Sequence, residues 1–334
     1  MSSRLKAILQ YLLILGVTVL LVIFSLQGIP VVPGKNKFDF LRETLASANK
    51  MWLLLMAFIA MISHIVRAER WKMLMAPAGR HVKLSHSFFS LMVGYLINLV
   101  IPRGGEVSRC YNLYKLDQTP VELSFGTVVV ERIADVICLV LLIAFAFVAE
   151  SEKLFAFVDT LNVWGSDPSD KLLFVAIGVV LLILAFIIAR WVIKRNAKLN
   201  EFIARKWTGF KEGLMTVFKL KNKGLFIFYS ALIWFLYFLM SYTVIQAFPE
   251  TNHLGFSAVM SLFAIGSIAM AAPLPGGTGS YHVLVPQGLV FLYSIPEPDA
   301  VAFTFIFHGW QTAIMIVAGA VSLVATSVLV KRKG

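Results

Sequence analysis

The chain has 334 residues, of which 59% are hydrophobic and only 14% charged, with a formal net charge of +12 and a mean hydropathy of +0.81. A soluble domain carries about a quarter charged residues, so there is too little polar side chain here to cover a water-soluble globule. The positive charge does not point to nucleic acid, because the basic residues sit in short connections between apolar blocks, the bias of cytoplasmic loops in membrane proteins. The expected fold class is an all-α polytopic membrane protein.

Taken in chain order, Arg4 and Lys6 precede an apolar run, Tyr11 to Leu26. The run is long for a signal peptide, and no small-residue cleavage site comes before Pro30 and Pro33, so it reads as a retained first span. Six full spans are expected, at about 7–27, 50–67, 123–148, 172–191, 224–247 and 300–330, against the ~20 residues that cross a ~30 Å hydrocarbon core. Two further apolar stretches are broken. Phe88 to Ile101 ends at Pro102, and Phe256 to Ala272 ends at Pro273 before a second short arm, Tyr281 to Tyr293.

Loop charges orient the spans. The connection 67–84 holds Arg67, Arg70, Lys72, Arg80 and Lys83 against Glu69, and 190–223 holds ten Lys/Arg against Glu201 and Glu212. Both are expected to be cytoplasmic, as are both termini, the last through Lys331, Arg332 and Lys333. The connection 149–171, with Glu150, Glu152, Asp159, Asp167 and Asp170, is expected outside. Between the two basic connections lie three apolar stretches, yet the chain must cross an even number of times. The stretch 85–101 makes a helix of only ~25 Å, so 85–121 is expected to be a re-entrant hairpin entering from the cytoplasm. Residues 256–293 are read as a second hairpin entering from outside. Non-helical backbone at that depth needs burial in protein or a wet cavity.

The two hairpins share Pro and Gly-Gly at their breaks, Gly104-Gly105 and Gly276-Gly277, at an offset of 172 residues. Opposite insertion of matching broken helices is the sign of an inverted-repeat transporter with a midplane site. The domain reading is one membrane domain over 1–334: repeat one at about 50–191, a basic linker at 194–223, and repeat two at about 224–330. The bland alternative is a common turn that occurs twice.

Candidate site residues lie at the breaks and in the span that follows the first. Arg103, Gly104, Gly105, Glu106 and Arg109 occupy the first break, and Glu131, Arg132 and Asp135 lie inside 123–148. A charge at the centre of an isolated helix costs ~2.5–3.5 kcal/mol and normally faces a bundle interior. Glu131 and Asp135 share one face, and either is expected to pair with Arg103 or Arg109, leaving one arginine for a lipid phosphate. The alternative is a salt bridge that only locks hairpin to span. In the second half, Gly276, Gly277, Thr278, Gly279 and Ser280 offer backbone N–H groups and hydroxyls at a helix start, suited to an anion or to plain capping. His282 and His308 lie nearest, as packing residues or proton carriers. Residues Leu199, Ile203, Trp207, Phe210, Leu214 and Phe218 recur at helical spacing among lysines and arginines, so 198–219 reads as a basic amphipathic helix on anionic inner-leaflet lipids. Gly309 to Gly319 presents a small-residue face that permits helix association and a homo-oligomer. No hydrolase, zincin or P-loop motif is present, and neither a metal nor a cofactor is expected.

The stretch Asn98 to Arg109, then Val130 to Asp135 (E-R-x-x-D), then Pro275 to Gly279 resembles the lysylphosphatidylglycerol synthase transmembrane-region family, over about residues 50–330. That family includes the flippase domain of the multiple peptide resistance factor, which moves aminoacylated phosphatidylglycerol between leaflets. The resemblance implies a bacterial or archaeal cytoplasmic membrane, a lipid-translocating path, and a site lined by Arg103, Glu106, Arg109, Glu131, Arg132 and Asp135. The full synthase carries a soluble aminoacyltransferase domain after its membrane part; the sequence here stops at Gly334, so no such activity is expected. An arginine common in the family's last span is replaced around His308, which implies a different head group or a pH-sensitive site. The expected function is a non-enzymatic, flippase-like translocator of a phospholipid or modified lipid head group. The alternatives are a membrane-embedded lipid-modifying enzyme using His282 or His308 as a base, and a non-transporting partner of a lipid synthase or glycosyltransferase.

Overall fold

The computed structural model describes residues 36–101, 103–160, 197–271, 275–277 and 279–332. Ten helices, and no strand, are found among the described residues: α1 (Lys37–Ser47), α2 (Lys50–Met75), α3 (Leu84–Asn98), α4 (Gly104–Asp117), α5 (Val121–Thr160), α6 (Ala197–Met215), α7 (Lys223–Ala247), α8 (Phe256–Ala271), α9 (Ser280–Tyr293) and α10 (Glu297–Lys331). The expected spans at 7–27 and 172–191 lie outside the described residues.

Among the described residues, four helices are long and apolar enough to cross a membrane: α2 with the 3-10 turn that follows it, α5, α7 and α10. They cover the expected spans at 50–67, 123–148, 224–247 and 300–330, and α2 and α5 run well past them. The side chain of Asn49 accepts from the Met51 amide and starts α2, relieving one of the orphan donors of a helix start. No breaker follows until Pro77 and Gly79, so α2 continues to Met75. Residues 67–75 are therefore helix, and the expected connection 67–84 is a correction: Arg67 and Arg70 are buried. Buried positions recur every three or four residues, from Met56 and Ile59 through Ser63, Arg67 and Arg70 to Leu74, as one helix face requires.

The two expected hairpins are helix–break–helix pairs, α3–α4 and α8–α9. Each pair packs on itself, and each is also gripped by a long helix from the other half: α3 lies on α10, and α8 lies on α5. The second arms instead pack on the long helix of their own half, α4 against α5 and α9 against α10, while α2 and α7 pack against one another. Within the first hairpin the backbones touch. A Cβ on Gly105 would sit 2.2 Å from the Gly94 carbonyl oxygen, so only glycine fits there. Gly319 likewise lets α10 approach the Met92 carbonyl of α3, so this part of the expected small-residue face is used inside the chain.

Polar ties hold both grips. The Asn112 amide donates to Ser90 Oγ at 3.1 Å and to Thr326 Oγ1 at 3.2 Å, joining α4, α3 and α10. Glu150, at a non-helical residue (φ −143°, ψ 48°) that kinks α5, accepts from Ser261 Oγ at 2.7 Å and from the Tyr293 hydroxyl, joining α5 to α8 and α9. Glu150 is thus part of the helix packing and not of an acidic loop, another correction.

Helix α6 crosses the start of α5 at glycines. A Cβ on Gly213 would meet the Leu123 carbonyl at 2.0 Å, and one on Gly126 would meet that of Phe210 at 2.3 Å. The amphipathic helix ends at Met215, so Phe218 and Lys219 fall in the turn after it. Because the glycine face takes the contact with α5, Trp207 remains 60% exposed. Val136, Val140 and Leu141 on α5, and Val317, Val321 and Val324 on α10, form outward apolar rows. Apolar surface of that extent needs a nonaqueous neighbour.

Candidate functional site

The buried charges meet where α2, α4 and α5 converge beside the first break. Glu131, with no exposed surface, accepts from Arg109 at 2.7 Å through one carboxylate oxygen and from Arg70 at 3.5 Å through the other. One turn along α5, Asp135 accepts from Arg70 at 2.7 Å and from Arg67 at 2.8 Å. The second Nη of Arg70 reaches Ser230 Oγ at 3.1 Å, and that of Arg67 the Tyr237 hydroxyl at 2.9 Å, so α7 takes part as well. The Arg109 guanidinium lies 4.6 Å from the ring centroid of Trp71, a cation–π contact that holds it flat.

Arg132 is different. Its nearest carboxylate, Glu106, is at 3.3 Å, against 2.7–2.8 Å for the other three arginines; Asp135 is at 3.8 Å, and 37% of the Arg132 side chain is exposed. A narrow cleft lies there, lined by Tyr95, Asn98, Gly105, Glu106, Arg109 and Arg132. Four guanidinium groups face three carboxylates, which leaves one formal positive charge. Nη1 and Nε of Arg109, Nε of Arg132 and Oε2 of Glu106 are buried without a hydrogen-bond partner. Buried polar atoms are nearly always satisfied; the cleft, at about 10 Å³, has room for about one water beside them.

Of the residues expected here, the structure brings together Gly104, Gly105, Glu106, Arg109, Glu131, Arg132 and Asp135. It does not bring Arg103 in. Arg103, in the left-handed conformation (φ 61°), instead donates to the Ala271 carbonyl at 2.9 Å. The first break thereby caps the C-terminal end of α8, where a cation is favoured by the helix dipole. Arg67, Arg70, Ser230 and Tyr237 were not anticipated. The signal for the two arginines was the helical periodicity of 56–74, obscured by reading Arg67 and Arg70 as loop charges.

At the second break, Gly276 (φ 56°), Gly277 (φ 75°) and Gly279 (φ 104°) carry the chain through conformations open to glycine. Ser280 Oγ donates to the Ala269 carbonyl at 2.7 Å. Thr278 lies outside the described residues. His308 Nε2 is 2.8 Å from the Gly276 carbonyl oxygen, His308 Nδ1 is 3.3 Å from His282 Nε2, and the Gly279 amide is 3.4 Å from His282 Nδ1. Among the described residues the hydrogen bonds of both rings run to each other and to this backbone. The expected anion cradle at 276–280 therefore has its Gly279 N–H already turned towards an imidazole.

Long apolar helices, two broken helix pairs and a buried ion cluster between them define a multi-pass α-helical membrane protein. The chain belongs to the family described as the lysylphosphatidylglycerol synthase TM region, whose model matches residues 8–319. It is similar to a UPF0104 membrane protein of Methanocaldococcus jannaschii, 29% identical over 119 residues, 35% of each chain. It is also similar to a UPF0104 membrane protein of Methanothermobacter thermautotrophicus, 24% identical over 301 residues, 80% of this chain and 81% of the relative. No solved structure matches.

Proposed function

We propose that the chain is a non-enzymatic lipid translocator that passes a phospholipid head group between leaflets of a cytoplasmic membrane while the acyl chains stay in the bilayer. The observation that carries this reading is the cleft beside the first break, where Arg132 and Arg109 hold unsatisfied donors in a cluster with one excess positive charge. A phosphodiester accepts from guanidinium groups at close range, and the loose Arg132–Glu106 pair at 3.3 Å is the contact it displaces. Arg67 and Arg70 hold Asp135, and Arg109 is paired with Glu131, which leaves Arg132 to the ligand.

The reciprocal packing of α3 on α10 and α8 on α5 supports two inverted repeats whose broken helices enter from opposite faces. The bond from Arg103 to Ala271 is where the two breaks meet. Helix α6, with Lys206 and Lys211 exposed beside Trp207, lies on the anionic inner leaflet and gathers acidic lipids at the foot of α5.

Reconstitution in liposomes with head-group-labelled phosphatidylglycerol tests the reading. Protein-dependent movement between leaflets, lost in Arg132→Ala, is the expected result. No movement of phosphatidylglycerol, phosphatidylethanolamine, cardiolipin or an aminoacylated lipid, with or without an ion gradient, overturns it.

A further inference from the structure

The two breaks use one left-handed backbone conformation, filled by different residues. Gly276 has φ 56° and ψ 14°, and Arg103 has φ 61° and ψ 0°; each follows a proline in the sequence. In that conformation a β-carbon crowds a carbonyl oxygen, so glycine sits there without strain and arginine does not. Among the described residues, three other than glycine have positive φ: Arg103, Gln118 and Ser294. Gln118 and Ser294 follow the last residues of α4 and α9, where a left-handed residue is a common way to end a helix. Arg103 stands at a helix start, where that reason is lacking. Strain of this kind persists where the surroundings hold it in place, and it clusters at functional sites.

The Arg103 side chain donates through Nη2 to the Ala271 carbonyl at 2.9 Å. That carbonyl belongs to the last four of α8, which a helix leaves without internal partners. Ser280, from the same hairpin, donates to the Ala269 carbonyl at 2.7 Å. The end of α8 is thus capped once from its own half and once from the other.

The bond to Ala271 is open to competition. Arg103 is exposed, and its acceptor is a neutral carbonyl. Arg103 also stands one helical turn, roughly 4.5 Å along the axis, before Glu106, which lines the cleft with Gly105 and Arg132. An ionised phosphodiester at Arg132 is a stronger acceptor for a guanidinium than a neutral carbonyl. The cleft at about 10 Å³ holds no head group as it stands, so the elements around it must part before one enters. The bond from Arg103 ties two of those elements together.

We propose that Arg103 is a latch between the two hairpins, and that a head-group phosphate releases it by drawing the guanidinium from the Ala271 carbonyl. This rests on the translocator reading and adds its trigger: a head group arriving at the first break frees the end of α8 beside the second. The coupling is reciprocal, so release of α8 strengthens phosphate binding by the same factor.

Hydrogen–deuterium exchange of the full chain in maltoside micelles reads the latch at amides 266–271, the end of α8. Arg103→Gly suits the backbone and removes the bond, so lost contact and relieved strain offset one another. That variant should unfold close to the wild-type temperature, with amides 266–271 exchanging severalfold faster and α2 and α7 unchanged. Arg103→Lys, which keeps a cation at the helix end, should exchange like wild type. Dihexanoyl phosphatidylglycerol should raise wild-type exchange to the level of Arg103→Gly and leave that variant unaffected; dihexanoylglycerol, which has no phosphate, should do nothing. Wild-type exchange in Arg103→Gly, or no response of the wild type to the phospholipid, overturns the proposal. Release by inorganic phosphate and not by the phospholipid overturns its assignment to a lipid head group. The translocator reading is judged separately in liposomes. A latch that responds to phospholipid in a protein that moves none stands without that reading, whereas lipid movement with an unresponsive latch removes the latch alone.

Discussion

The two breaks use the same backbone device with opposite chemistry. At the offset of 172 residues, Arg109, Glu131 and Asp135 correspond to Tyr281, Phe303 and Phe307. Where the first half has an ion-pair cluster, the second has rings in contact, Tyr281 to Phe307 at 6.1 Å and Phe303 to Phe307 at 5.9 Å. The helix frame evidently does not require buried charge to hold a broken pair against a long helix. Aromatic edges fill the same place without desolvating a charge. If the first half can be held in the same way, its charges are left to another role, which the proposed function assigns to Arg132.

The comparison can be broken at Glu131. Glu131→Ala strands Arg109 and Arg70 in a closed interior and should cost about 3–5 kcal/mol, read as a large drop in thermal unfolding temperature in micelles. Replacing the pair together, Arg109→Tyr with Glu131→Phe, imports the second half's solution. It should recover most of that loss while abolishing lipid movement; recovery of neither would show that the frame does depend on the charges. Gly105→Ala should cost about 1–3 kcal/mol, since the added methyl meets the Gly94 carbonyl and Asn98. Glu150→Ala should cost roughly 1–3 kcal/mol by leaving Ser261 and Tyr293 without their acceptor. Its effect should be seen as faster amide exchange in α8 and α9 and not in α3 and α4. Smallest is Arg103→Ala, an exposed group with one backbone bond, expected within about 1 kcal/mol of wild type in stability. Its mark should be on lipid movement, measured in the same liposomes.

Much of this was legible in the sequence because hydrocarbon imposes long apolar runs, and because a proline close before Gly-Gly marks each place where a helix stops. That an arginine of the first break pairs with a carboxylate of the next span followed from charges that had to face inward; that the pair is Arg109 with Glu131 did not. Arg67 and Arg70 were harder. A short basic stretch after a span normally marks a loop, and only the continued three-to-four spacing of buried positions through Trp71 and Leu74, with no breaker before Pro77, betrays a helix. The kink at Glu150 had no proline or glycine to announce it. It comes from a carboxylate drawn towards hydroxyls on helices more than one hundred residues away, contacts that local pattern cannot report. Arg103 was drawn out of the cluster by a helix end in the other half of the chain, also invisible locally.

The grip of α10 on the first hairpin sets a timetable for synthesis. The hairpin ends at Asp117, and the helix that covers α3 begins at Glu297. At about 5–20 residues per second, roughly 10–40 s pass between the emergence of the two. Throughout that interval the ribosome has delivered a polar turn and an α3 whose α10-facing side is still uncovered. Newborn chains must be sheltered for those seconds, and anything that truncates the message before α10 releases a hairpin with an uncovered face for proteases to find.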